Sequence, residues 1–247
     1  MVENHVSYSA RLRYHYQTHP EDWKALTYTA LAGAFILSFD QWGETSFNAL
    51  TGVINFAAAF VISVIGIGIH DTAHRMAALK MGYDIEHRIW FAGLISSIAL
   101  VMISRGALKI YLFESMALSA MRLHRMGRYP FMGTTWEYSF AYMAGPLASL
   151  VFAGMLASIA AASGITGGLL SLAIQFNLTY GLLALLPLPP LDGMWILYYS
   201  RGVFVGLLTG GLAYVIMTLF GVAYWPPLAL SIIMGIIVGI CWMYFYD

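Results

Sequence analysis

Residues 67–77 read IGIHDTAHRMA, and His70, Asp71 and His74 are the side chains there whose types and spacing can do chemistry. In a helix, positions i and i+4 share a face, so His70 and His74 can direct two imidazoles at one metal ion, with Asp71 beside the first. All three stand in an apolar run. A central Asp in a membrane costs about 2.5–3.5 kcal/mol on insertion scales, and such groups mark functional sites. The competing reading has the histidines hydrogen-bonding to neighbouring helices and Asp71 facing water near Arg75. A second constellation lies at 177–195, NLTYGLLALLPLPPLDGMW, where Pro187, Pro189 and Pro190 precede Asp192 and Gly193. Proline removes a helical hydrogen bond and clashes with the preceding turn, so the helix is predicted to break near Leu186. Asp192 then emerges from irregular backbone, able to reach another helix; a simple proline kink with a turn-forming Asp-Gly is the alternative. Two imidazoles and one carboxylate, with a fourth position left for water, make a catalytic rather than a structural zinc site.

The elements that must position these residues are membrane helices. The chain has 247 residues, 60% hydrophobic and only 10% charged, with a mean hydropathy of +0.73; water-soluble domains carry about 25% charged residues. Twelve Lys plus Arg balance twelve Asp plus Glu, so no nucleic-acid partner is expected. The single cysteine, Cys241, can form no intramolecular disulfide. Residues 1–24 are polar and aromatic with no apolar h-region, so a cleavable signal peptide is not expected.

Apolar stretches fall at 25–39, 49–80, 89–104, 138–162, 168–199, 202–221 and 226–246. A helical span needs about 20 residues, and 89–104 is short. Were it to cross, Arg105, Lys109, Arg122, Arg125 and Arg128 would face the side opposite Arg11, Arg13, Lys24, Arg75, Lys80 and Arg88. If it dips in and returns, every Lys and Arg lies on one side, as cytoplasmic loops require. The expected fold is therefore an all-α polytopic membrane protein of six transmembrane helices, with a re-entrant or edge-strand segment at 89–112 between the second and third. A basic cytoplasmic loop at 113–137 follows. Residues 1–24 form a cytoplasmic tail and 25–247 one membrane domain, with a core at 49–200 and extra helices at 25–39, 202–221 and 226–246. A prokaryotic cell membrane is the simplest location.

The chain resembles the site-two protease family of intramembrane zinc metalloproteases. Members have a His-Glu-x-x-His motif on one membrane helix, an AGPL segment in the next and an Asn-x-x-Pro-x-x-Pro-x-Asp-Gly segment on a third. Here those places are taken by HDTAH (70–74), AGPLASL (144–150) and ALLPLPPLDG (184–193). The resemblance implies one zinc ion held by His70, His74 and Asp192, with Asp71 as general base. It implies hydrolysis of peptide bonds within or near transmembrane segments of membrane proteins, which is regulated intramembrane proteolysis. Segment 89–112 then corresponds to the family's membrane-edge strand region. Within it GALKIYLFE (106–114) reads as a strand with Ala107, Lys109, Tyr111 and Phe113 on one side. Lys109 and Tyr111 become candidates for substrate binding, because strand addition recruits peptide backbone.

Two positions depart from the family pattern. The motif glutamate is Asp71, whose carboxylate is drawn back by roughly 1.5 Å, one carbon–carbon bond. The motif asparagine, thought to help polarise the substrate carbonyl, is Ala184. Asn177 lies seven residues earlier on nearly the same helical face, about 10 Å along the axis, and is a candidate substitute. Losing one oxyanion donor lowers rates on the order of a hundred- to a thousand-fold. A second expectation follows: a non-catalytic zinc-binding relative that binds membrane helices. A third is metal or proton transport, since intramembrane His and Asp also line ion paths. His15 and His19 share the i, i+4 spacing but lie in the polar tail and read as a solvated face. EYSFAY (137–142) and CWMYFYD (241–247) read as interfacial aromatic belts. Met116, Met121, Met126 and Met132 read as packing.

Overall fold

Asn48 opens the longest helix. Its side chain accepts from the Thr51 N–H at 3.1 Å, and the helix runs until Gly82, whose φ of 87° supplies the left-handed cap bonded to Ala78 and Leu79. The computed structural model describes residues 8–16, 19–43, 47–120, 135–165, 167–219 and 225–246. In chain order its elements are α1 (Tyr8–His15), α2 (Pro20–Ser38), α3 (Ala49–Met81), β1 (Tyr83–Ile89), α4 (Phe91–Ile103), β2 (Glu114–Ala120), α5 (Thr135–Ser163), α6 (Gly168–Ala184), α7 (Asp192–Tyr199), α8 (Arg201–Leu219) and α9 (Trp225–Tyr246). Most of the chain is helical. Among the described residues four helices are long and apolar enough to cross a membrane: Ala49–Met81, Trp136–Ser163, Arg201–Thr218 and Pro227–Tyr246. Their outward faces carry exposed Leu50, Val53, Ile54, Val61, Ile233, Ile237 and Ile240, as expected where the surrounding solvent is apolar.

The helices pack about two cores. One joins α2, α3, α4 and α6 around Ile36, Leu37, Ile67, Phe176 and Tyr180; the other joins α5, α7 and α8 to the sheet around Ala141, Tyr142, Ile196 and Tyr214. Gly206, Gly210, Gly235 and Gly239 let α8 and α9 approach backbone to backbone: a Cβ at Gly206 would lie 2.7 Å from the Gly235 carbonyl oxygen.

Two elements differ from the expected pattern. The strand expected at 106–114 lies farther on, at Glu114–Ala120, and its partner is Tyr83–Ile89, a stretch not read as a strand from sequence. Residues 104–113 carry irregular backbone instead: Arg105 (φ 53°) and Gly106 (φ 88°) turn the chain. It is then stitched against α4, where the Ser97 hydroxyl donates to the Gly93 carbonyl (2.8 Å) and accepts from the Leu112 N–H (2.9 Å). Gly93 is required here, because a Cβ would collide with the Leu112 carbonyl. The segment from 90 to 113 leaves and rejoins the sheet at one point, Trp90 N–H donating to the Phe113 carbonyl at 3.0 Å beside the Ile89–Glu114 pair. The span at 168–199 breaks where the prolines predict: α6 ends at Ala184 with Leu185 as its cap, and α7 starts at Asp192 beyond the proline cluster. Of the expected basic loop, residues 121–134 lie outside the described residues, including Arg122, Arg125, Arg128, Met121, Met126 and Met132.

The outer margin of β1 is held by side chains. Asp22 Oδ1 accepts from the His87 N–H (3.0 Å), and Arg75 donates to the Ile85 carbonyl (3.3 Å). Asp22 also meets Arg75 Nη2 at 3.2 Å and caps α2 through the His19 N–H at 2.9 Å. Burial pushes the Tyr83 phenol above its ordinary range, with Tyr138 and Glu137 adding to the shift, so the hydroxyl stays protonated and donates to Glu137 (3.3 Å). Breaking a buried ion pair by removing one partner costs about 3–5 kcal/mol. Asp22→Ala is therefore expected to destabilise the protein by about 3 kcal/mol, read as a lowered thermal midpoint in detergent; a midpoint equal to that of the wild type would refute the clamp.

Candidate metal centre

His70 and His74 project from one face of α3, and Asp192 opens α7 directly after the proline break. All three are buried. His70 Nε2 and His74 Nε2 lie 3.1 Å apart, and Asp192 Oδ2 stands 3.2 Å from each. Among the described residues this is the group of ligating side chains whose donor atoms converge closely enough to hold one metal ion.

Hydrogen bonds behind the ring fix what faces inward. His74 Nδ1 lies 2.8 Å from the Ala141 carbonyl. A carbonyl only accepts, so Nδ1 carries the proton and Nε2 presents a lone pair to the centre. His70 Nδ1 meets the Ser149 hydroxyl at 2.9 Å, which holds the second imidazole's orientation, a hydroxyl being able to donate or accept there. Two imidazole nitrogens and a carboxylate oxygen thus converge at contact distance.

Both orienting groups belong to α5, within or just before AGPLASL. Gly145 explains the close approach, since a Cβ there would overlap His74 Nε2 and crowd His70 Nε2. Gly181 lets α6 come within 3.0 Å of Ser149, measured from the position its Cβ would occupy, and Gly193 lets the start of α7 lie against the Leu185 carbonyl. The glycines therefore set the spacing of the three helices that carry the ligands and their supports.

The remaining candidates fall in different places. Asp71 does not turn to the cluster. It pairs with Arg75 Nε at 2.6 Å and lies 3.4 Å from His87 Nδ1, lining a separate cavity of about 280 Å³ with Tyr16, Trp23 and Thr72. Tyr111 is buried and lines a space of about 10 Å³ beside the cluster with His70, Tyr180, Ala184 and Asp192, about the room that one water needs. Lys109 reaches the other way, to the Leu37 carbonyl (3.1 Å) and Asp40 (2.8 Å). Asn177 donates to the Ala173 carbonyl of its own helix at 2.8 Å, and its Oδ1 packs by Gly66 on α3. His19 precedes α2 with its ring 3.9 Å from Asp84, apart from the metal group. Sequence reasoning missed Tyr180, Ser149 and His87. Ser149 stood inside a motif already singled out; Tyr180 and His87 carried no spacing signal.

The chain matches no family model, no curated protein and no solved structure. Its likeness to the site-two proteases rests on three short motifs.

Groups that orient metal ligands contribute about 10- to 100-fold to affinity. Ser149→Ala is accordingly expected to weaken metal binding by at least tenfold in chelator competition while leaving helix content unchanged. Unaltered affinity would mean that the hydroxyl does not orient His70.

Proposed function

We propose that the protein is an intramembrane zinc metalloprotease that hydrolyses peptide bonds within or near transmembrane segments of membrane-protein substrates. The observation that carries this reading is the buried triangle of His70 Nε2, His74 Nε2 and Asp192 Oδ2. Tetrahedral ligands about 2.0–2.1 Å from one zinc ion stand about 3.3 Å from each other, and the donors here stand 3.1–3.2 Å apart. Two imidazoles and one carboxylate suit zinc better than magnesium or calcium, which prefer oxygen alone. Three protein ligands leave the open coordination position that a hydrolytic site requires. Bound zinc would lower the pKa of a water toward about 7 and polarise the peptide carbonyl.

The proposed setting is a multi-pass protein of a prokaryotic cell membrane with a cytoplasmic N-terminus. Its six spans are α2, α3, α5, α6 with α7, α8 and α9. Helix α4 has 13 residues, about 20 Å, against a hydrocarbon core of about 30 Å; its shortness and the shared ends of the 90–113 segment support re-entry. The apolar part of α3 before His70, residues 49–69, is 21 residues long and spans about 31 Å by itself. His70, Asp71, His74 and Arg75 then sit at the charged, cytoplasmic margin, where water can reach the centre.

In catalysis Asp71 would take a proton from the attacking water and return it to the leaving amide nitrogen. That role requires its carboxylate to exchange Arg75 for water. The Asp71–Arg75 pair at 2.6 Å favours a second reading: a non-catalytic relative that keeps zinc and binds membrane helices.

Reconstitution with single-helix substrates, with and without a chelator, separates the two. The protease reading expects about one zinc per chain and chelator-sensitive cleavage. His70→Ala should lose zinc, and Asp71→Ala should keep zinc and lose turnover by at least a hundredfold. Zinc binding with no cleavage of any substrate supports the second reading, and stoichiometric tight zinc in His70→Ala removes the site assignment from both.

A further inference from the structure

Ala184 leaves the centre without the amide that the motif asparagine would bring, so a donor for the substrate carbonyl must come from elsewhere. Three observations converge on one residue, one helical turn earlier. Tyr180 is 2% exposed and lines the one-water space with His70 and Asp192. Its hydroxyl is buried with no hydrogen-bond partner among the described residues, an unusual state for a buried donor, since such groups are nearly always paired. Its ring is held on three sides: 4.7 Å from His70, 5.5 Å from Phe176 and 5.9 Å from Phe113, centroid to centroid.

A ring fixed against a ligating imidazole and carrying an unpaired donor has its entropy and desolvation costs met before substrate arrives, which is the condition for effective stabilisation of developing charge. We infer that Tyr180 is a catalytic residue whose hydroxyl donates a hydrogen bond to the scissile carbonyl oxygen as that oxygen gains negative charge. The inference rests on the protease reading above. Tyr180 keeps its proton throughout: the water oxygen bonds to the carbonyl carbon, the C–N bond breaks, and the water proton passes through Asp71 to the departing nitrogen. Asn177 gives one of its two amide hydrogens to the Ala173 carbonyl, at 2.8 Å.

Tyr180→Phe keeps the ring packing and removes only the hydroxyl. The test uses the zinc-loaded full chain in micelles, a panel of single-helix substrates, and binding of a tetra-alanine phosphinic peptide in which an anionic P(O)O group replaces the scissile carbonyl. The expected result is a loss in kcat on the order of a hundredfold with KM within about twofold, and phosphinate affinity reduced at least tenfold. Zinc stoichiometry should stay unchanged and the thermal midpoint should be no lower, because no protein hydrogen bond is lost. Adding Ala184→Asn to Tyr180→Phe should recover part of the rate. Equal kcat and equal phosphinate affinity in the two proteins overturn the inference while leaving the protease reading intact, and a lowered midpoint with loss of zinc assigns Tyr180 to packing. If the wild-type chain binds zinc without cleaving, the phosphinate affinities alone decide. A wild-type chain that takes up no zinc overturns the protease reading and this inference together.

Discussion

The constraint on which the rest of the structure depends is the meeting of three electron-pair donors in a buried space. His70 Nε2, His74 Nε2 and Asp192 Oδ2 lie 3.1–3.2 Å from one another. Their donor atoms lie close enough together to hold one metal ion. Each surrounding feature makes sense as a means of holding them there. The α3 helix supplies two at one-turn spacing, the proline break turns α7 so that its first residue supplies the third, and α5 backs both imidazoles with Ala141 and Ser149. Gly145 is the joint of this arrangement, since any side chain would occupy the space of the ligand atoms themselves.

A second polar assembly lies at the same level of α3, on the neighbouring face. Asp71, Arg75, Asp22 and His87 tie α2, α3 and β1 together. It shares a helix with the metal group, yet Asp71 faces a different cavity from the one beside His70. Adjacent residues 70 and 71 thus face different ways, His70 to the centre and Asp71 to Arg75 at 2.6 Å, so a proton-transfer role for Asp71 requires that pair to open.

Much of this was legible in the sequence because the signals were periodic or conformational. The apolar stretches located α3, α5, α8 and α9 to within a few residues at each end, since length and hydropathy set membrane helices. The i, i+4 histidines and the proline-rich approach to Asp192 pointed to one centre, and the three side chains do converge. What escaped was set by tertiary pairing. The Tyr83–Ile89 strand is half charged and reads as a loop until Glu114–Ala120 pairs with it. Arg105 and Gly106 moved the strand expected at 106–114 by adopting left-handed backbone. Lys109 was drawn to the end of α2 by Asp40, a partner remote in sequence, and Asn177 was turned onto its own helix. Tyr180 had no motif to announce it; only its unpaired buried hydroxyl and the packing of its ring on His70 did so.

The side chains along the outer margin of β1 have an effect beyond bracing. Open strand edges template pairing with other chains and invite aggregation. Here the His87 N–H is taken by Asp22 and the Ile85 carbonyl by Arg75, while the Ile85 N–H is met by Asp84 Oδ1. With these three groups taken, the middle of that edge offers an incoming extended chain little to pair with.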